Sequence, residues 1–401
     1  MVKSILTVSE IFWPEGGGAE HATYLILSML KQEGFNITVV TGTKHPKPIP
    51  GTKYYTTPLL DNSNRIVRWL KIIILLKNRK FSELFKNHEI LYIPLSAYPL
   101  IPTAKREGLK IVVHLHNYMP VSYSSLKFFF ENDRLGLKDE LKNAVFYEYY
   151  VQKSLLRTLL MPASFILYKI GRWLIRKADV IICVSKRQAE ILSKRAPELK
   201  HKIKIVYNPL PEVIEVTKKL AYPTFLYLGE DSYAKGFSIF LKASQATLRH
   251  GATARFVILQ CYKNRLLIEK ISKCFANAYC PLGRIEFNEV LDIYSISYAL
   301  LFPSVCEEPL PYAIIEAMLT GTIPIASNIG GIPEIVGGTF AEKMLFKPGN
   351  VKEFVDKINM LLAMSKEQLV DIGLCLKEAA NRRFDPDTIK KTMVSIFTES
   401  T

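Results

Sequence analysis

The stretch Phe302–Val336, FPSVCEEPLPYAIIEAMLTGTIPIASNIGGIPEIV, constrains this chain more than any other. A short apolar strand ending at Phe302 breaks at Pro303-Ser304 into a polar turn. Pro309 and Pro311 then precede the helical run Tyr312 to Leu319, since proline is tolerated where a helix's first N–H groups have no partner. Gly321 stops that helix, and TIPIA (322–326) reads as the next strand. A helix that opens at a strand's carboxyl end presents unpaired N–H groups and a positive dipole end, which is where open α/β sheets place anionic ligands. Glu308 lies on the turn and Glu316 in the second turn of the helix. With the whole span helical they would stand ~12 Å apart along the axis, too far for the ~5 Å carboxylate pair of a retaining glycosidase. The spacing suits two groups bracketing an extended ligand, or a turn glutamate and a helix-surface glutamate with no shared task.

The surrounding letters narrow the choice. Pro303-Ser304, Glu308, Glu316-Ala317-Met318, Gly321, Pro324 and Gly330-Gly331-Ile332-Pro333-Glu334 resemble the C-terminal signature of retaining GT-B glycosyltransferases, family four. The resemblance implies an α/β fold of GT-B architecture, two Rossmann-like domains with a cleft between them. It implies that Glu316 holds the nucleotide ribose, that Glu308 lies beside the donor sugar, and that Tyr312 belongs to the donor site. The segment E-P-L-P-Y replaces the family's E-G-F-G-L, so Pro309 and Pro311 each lack a backbone donor.

The same resemblance extends along the chain. After a first strand, Ser4 to Ser9, Pro14, Gly17, Gly18, Ala19, Glu20 and His21 fit the family's P-x-GGAE-x-H. Glycine there lets backbone approach a phosphate closely. The resemblance places Gly17 and Gly18 against the donor diphosphate, and Glu20 and His21 with the acceptor. Further strands are expected at Asn36–Thr43, Ile90–Ile93, Lys110–Leu115 and Val180–Val184. Lys110–Leu115 carries His114 and runs on to His116, and strand alternation puts the two on one face. His116-Asn117 is similar to the family's histidine near the donor sugar, making His116 the candidate sugar contact. In the second half, Gly229 with Lys235-Gly236 resembles the family's G-R-x-x-x-x-K-G, whose basic residues clamp the diphosphate. Lys235 keeps its place, and Glu230 stands at the arginine position. Strands are expected at 225–229, at Arg255–Gln260 and near Arg284–Phe287. The domains expected are 1–212, acceptor-binding, and 213–385, nucleotide-sugar-binding, with a Lys- and Pro-rich boundary at Pro211–Pro223. The resemblance implies a terminal helix in 386–401 that crosses back to the first domain.

Composition bounds the partners. The formal charge of +16 favours anionic ones. Two segments, 64–80 and 153–177, carry six basic residues each and no acidic one. In the second, Lys169, Arg172 and Arg176 share a helical face, the pattern of a basic amphipathic helix lying on an anionic membrane. The competing expectation is a packed helix whose basic stems snorkel. No uncharged run approaches the ~20 residues of a spanning helix. Six cysteines form no metal-ligand pattern, with Cys274 and Cys280 a conceivable pair. The N-terminus shows no signal-peptide pattern, so a cytoplasmic, peripheral membrane setting is expected. No nucleic-acid module is present.

Three functions compete. The resemblance implies a retaining transferase that takes a nucleotide diphosphate sugar, with no metal or other cofactor, to a lipid-linked or glycan acceptor. Glu230 and the proline pair would instead suit a non-catalytic partner of a glycosyltransferase that binds nucleotide sugar. The third, a basic nucleic-acid protein, explains the charge and none of the motifs.

Overall fold

The computed structural model describes residues 3–61, 64–213 and 218–399. Residues 214–217 of the expected boundary stretch lie outside the described residues. The chain forms two compact units. Unit 1 comprises Met1–Lys127, Glu131–Pro209 and Pro386–Thr401, and unit 2 comprises Phe128–Phe130 and Leu210–Asp385.

Unit 1 is built on a parallel sheet of β1 (Ser4–Ser9), β2 (Asn36–Thr41), β3 (Lys53–Thr56), β4 (Ile90–Ile93), β5 (Lys110–Leu115), β6 (Val180–Cys183) and β7 (Ile203–Ile205). Its order is β3-β2-β1-β4-β5-β6-β7. The chain therefore moves outward from β1, then returns to lay β4 on the other side, with Ser4 opposite Asn36 and Ile5 opposite Ile90. Strands covered on both faces read as near-continuous apolar runs, as in the wholly buried ILYI of β4. Leu6, Val8, Leu91, Ile93, Val113 and Ile181 lie in one core cluster. The terminal helix, Pro386–Thr398, completes this unit. Its Phe397 is fully buried, edge-on to Phe35 and Tyr92. Lys110 Nζ donates to the carbonyls of Ile396 (2.6 Å) and Glu399 (2.7 Å).

Unit 2 holds β8 (Thr224–Leu228), β9 (Arg255–Leu259), β10 (Tyr279–Pro281), β11 (Ala299–Phe302), β12 (Ile323–Ser327) and β13 (Leu345–Phe346), again all parallel. The order is β10-β9-β8-β11-β12-β13. The direction of winding reverses between β8 and β11, as it does between β1 and β4.

Several expectations are corrected. The strand expected near Arg284–Phe287 is absent; Phe287–Ile296 is a helix, and the Glu289 carboxylate accepts from the Glu286 N–H (2.8 Å), closing the helix start. The strand lies earlier, at Tyr279–Pro281, where the buried Tyr279 hydroxyl donates to Ser244 Oγ (2.8 Å). Edge strands β3 and β7 are short and largely exposed, and neither carries the continuous apolar run of a central strand. All six cysteines are unpaired, Cys274 and Cys280 included. The basic face of the Leu155–Ile175 helix is turned toward protein carboxylates. Lys169 pairs with Glu140, Arg172 with Glu140 (3.5 Å) and Glu198 (3.3 Å), and Arg176 with Glu198 (2.8 Å). What this helix shows to solvent is its apolar side.

Candidate functional site

In unit 2, three turns follow the neighbouring strands β8, β11 and β12 at their carboxyl ends: Lys235-Gly236, Pro303–Glu308 and Gly330-Gly331. Backbone contacts staple them together. The Val305 N–H donates to the Ala234 carbonyl (3.0 Å), and Ser304 Oγ lies 3.1 Å from the same carbonyl oxygen. The Gly331 N–H donates to the Glu308 carbonyl (2.8 Å). Gly236 has φ +70°, and a Cβ there would stand 1.8 Å from the Pro303 carbonyl oxygen. Gly330 has φ +64°, with a Cβ placed 2.2 Å from the Glu308 carbonyl oxygen. Only glycine permits this approach in the left-handed region. These motif glycines serve the site by drawing its turns together.

The result is a fixed ion pair. Lys235 Nζ donates to Glu308 Oε1 at 2.8 Å, and Ser304 Oγ donates to the same oxygen at 3.0 Å. Burial opposes the ammonium charge, but the Glu308 carboxylate outweighs it and holds the Lys235 pKa above its ordinary value. Glu230 acts in the same direction. Its own side chain is exposed, while its carbonyl accepts from the Tyr227 hydroxyl (3.1 Å). The lysine is therefore a permanent cation at the point where the winding of the sheet reverses, where ligands of open α/β sheets bind.

Tyr312 opens the Tyr312–Leu319 helix and is buried. Glu316, one turn on, is 7% exposed. Burial pushes its pKa up to about 7, against a hydrogen bond from Tyr294 that favours the ionised form. No cation among the described residues pairs with Glu316. It is a buried carboxylate poised to ionise near neutrality, and such perturbed groups concentrate at functional sites.

The other expected residues lie in unit 1. Gly16 has φ +87°, and the Gly17 N–H donates to Glu20 Oε2 (2.7 Å). Gly18 begins the Gly18–Gln32 helix. Glu20 thus spends its carboxylate on the start of that helix, and burial raises its pKa despite that bond. His21 stacks on Trp13, ring centroids 4.2 Å apart. Burial, with Lys47 adding to it, lowers its pKa to about 4. His116 lies 4.3 Å from His114, ring to ring, and His114 Nδ1 shares a hydrogen with the Tyr92 hydroxyl (2.8 Å). Burial lowers the His116 pKa to about 4, so its imidazole is neutral. Its Nε2 is buried and has no hydrogen-bond partner among the described residues. An orphaned polar atom of this kind costs free energy unless a ligand or water meets it.

The structure therefore joins Lys235 to Glu308, groups Gly17, Gly18 and Glu20 around one helix start, and sets His21 and His116 in unit 1. Sequence reasoning missed Tyr294, whose bond to Glu316 spans distant segments, and Ser304, read only as a turn residue. The pairing of a P-S turn with a K-G turn was the signal available for Ser304.

Residues 16–212 match the family described as Glycosyltransferase Family 4, and residues 212–373 match Glycosyl transferases group 1. The chain belongs to the family-four GT-B glycosyltransferases. One human subunit of phosphatidylinositol N-acetylglucosaminyltransferase is 22% identical over 338 residues, 83% of this chain. The chain spans 63% of that relative's length in this match. Sucrose-phosphate synthase from Thermosynechococcus elongatus superposes with a TM-score of 0.71 at 15% identity, covering 98% of each chain. Anabaena Alr3699/HepE in complex with UDP-glucose gives 0.67 at 14% identity, over 98% of this glycosyltransferase and 99% of that chain. These likenesses establish two parallel-sheet Rossmann-like domains of the GT-B kind.

Proposed function

We propose that this glycosyltransferase moves a sugar, with retention of anomeric configuration, from a nucleotide diphosphate sugar to a lipid-linked acceptor or glycan precursor. The observation that carries the reading is the Lys235–Glu308 pair at 2.8 Å, fixed by Ser304 at the strand ends of unit 2. A leaving diphosphate gathers negative charge as the anomeric C–O bond breaks, and a fixed cation answers that charge without reorganising. Lys235 supplies it, together with the N-terminus of the Tyr312–Leu319 helix. The acceptor oxygen bonds to the anomeric carbon on the face the diphosphate leaves. Its proton passes to the leaving phosphate oxygen, so neither a metal nor a covalent enzyme intermediate is needed. Glu316, when ionised, accepts both vicinal hydroxyls of the ribose. The neutral His116 meets the sugar with its unpartnered Nε2. A UDP-glucose complex among the structural neighbours supports the donor class, and the phosphatidylinositol in the human relative's name supports a lipid acceptor. The same reading puts the enzyme's work at an anionic membrane surface, peripheral and cytoplasmic, where such an acceptor would be met. Among the described residues no helix is long and apolar enough to cross a membrane.

Glu230 favours a second reading, a non-catalytic partner that binds nucleotide sugar without turning it over. One experiment tests both: a screen of nucleotide sugars for thermal stabilisation, followed by transfer from the hit to a membrane lipid extract. Stabilisation that Glu316→Ala weakens by about 1–3 kcal/mol supports the donor site. Turnover separates the enzyme from the non-catalytic partner, and indifference to every nucleotide sugar refutes both.

A further inference from the structure

In unit 1 the Arg65–Leu75 and Leu155–Ile175 helices pack against each other. Beside them lies a cavity of about 380 Å³ whose lining includes Arg65, Arg68, Tyr123, Glu148, Arg157 and Leu160. Arg65 is its unusual member. One guanidinium nitrogen donates to the Tyr123 carbonyl (3.0 Å) and Ser125 Oγ (3.3 Å), and no carboxylate among the described residues pairs with it. Burial lowers its pKa; the Tyr123 and Tyr98 rings oppose that, and Arg68 adds to it. Arg68 stands three residues on, hence on the same helical face.

The carboxylate present in the lining, Glu148, is already engaged. It accepts from the Tyr123 hydroxyl (2.8 Å) and from Arg157 Nε (2.8 Å). Arg65 thus keeps a guanidinium with no carboxylate partner among the described residues at the cavity wall, a charge that an entering anion would pair. The Arg65 guanidinium fork beside the Ser125 hydroxyl matches the tetrahedral oxygens of a phosphate, while Arg68 spends Nη1 on Ser96 Oγ (2.8 Å) and adds charge from the same helix.

A free phosphate would use only half of what is here. Leu160, at the cavity wall, is exposed, and so are Leu155, Leu156 and Leu159 of the same helix, with Leu159 70% accessible. Ile73 and Ile74 of the Arg65–Leu75 helix are exposed as well. Lys177 stands 4.1 Å over the exposed Trp173 ring, an aromatic and a cation suited to headgroup depth. The two segments have no acidic residue to repel an anionic surface. We propose that this cavity binds the phosphate of an anionic lipid, whose acyl chains lie on the exposed apolar side of the Leu155–Ile175 helix. The inference rests on the reading above for the lipid's role as acceptor, and not for its binding.

The test is flotation of the full chain with phosphatidylcholine vesicles, with and without a minor fraction of phosphatidic acid. Inorganic phosphate is titrated separately. Phosphatidic acid is expected to raise vesicle binding about tenfold or more, the worth of one charge-assisted contact. Arg65→Gln removes that preference, while Lys77→Gln, an exposed charge outside the cavity, keeps most of it. Leu156→Glu with Leu159→Glu abolishes vesicle binding and spares whatever affinity exists for inorganic phosphate. Thermal unfolding and nucleotide-sugar stabilisation, read on each variant, separate misfolding and failure of the donor site from failure of this one. Wild type that ignores phosphatidic acid, or a folded Arg65→Gln that keeps the preference, overturns the proposal. Inorganic phosphate binding as tightly as the vesicles, with the leucine variants unaffected, assigns the cavity to a soluble phosphate and overturns the lipid.

Discussion

Replacing Glu316 with glutamine should make the protein more stable and its nucleotide binding worse. Burial moves the Glu316 pKa from 4.5 to about 7. Below about pH 4.5 the group is protonated in both the folded and the unfolded chain and favours neither. As pH rises, the unfolded chain ionises first, so the stability tied to the protonated group drains away until about pH 7. The accumulated loss is about 3 kcal/mol at 1.36 kcal/mol per unit. Glutamine keeps the shape and cannot ionise. Glu316→Gln should therefore match wild type near pH 4 and exceed it by about 3 kcal/mol near pH 8, or ~6–12 °C in midpoint for a domain of this size. Urea or thermal unfolding across pH reads this directly. Nucleotide affinity should move oppositely. Wild type, needing the ionised carboxylate, binds about tenfold more weakly near pH 6 than near pH 8, and the variant binds weakly and without that slope. Parallel stability curves for the two proteins would refute the reasoning, because they would mean that the buried carboxylate is not strained.

Three further outcomes are expected. Lys235→Ala should cut turnover by about 10²-fold or more through loss of the charge facing the diphosphate, measured as kcat on the screened donor. Gly330→Ala should cost more than about 1 kcal/mol in urea unfolding, since its left-handed backbone and the nearby Glu308 carbonyl both resist a Cβ. Arg172→Glu should destabilise by about 3 kcal/mol, because it leaves the buried Glu140 facing a like charge. Unchanged unfolding in that variant would show that the pairs with Glu140 and Glu198 contribute nothing.

Apolar runs such as ILYI and the IVV of KIVVHL gave the central strands away, because a strand covered on both faces is apolar along most of its length. The edge strands β3 and β7 did not show themselves, since their stability comes from pairing and not from their own side chains. Lys235, Glu308 and Glu316 were legible as letters at fixed spacing. That Lys235 and Glu308 touch was not, because their contact depends on how two turns from neighbouring strands are stapled. The Leu155–Ile175 helix shows the limit most plainly. Its own residues fix which face is basic, but whether that face meets lipid or protein depends on Glu140 and Glu198, contributed by distant segments.

The terminal helix has a consequence for the order in which the chain takes shape. Unit 1 begins with Ser4–Ser9, yet its core stays open at Tyr92 and Phe35 until Phe397 arrives. Every residue of unit 2 is made before that helix is. The domain translated first is therefore the last to be finished, and until then it offers bare aromatic surface to whatever guards nascent chains.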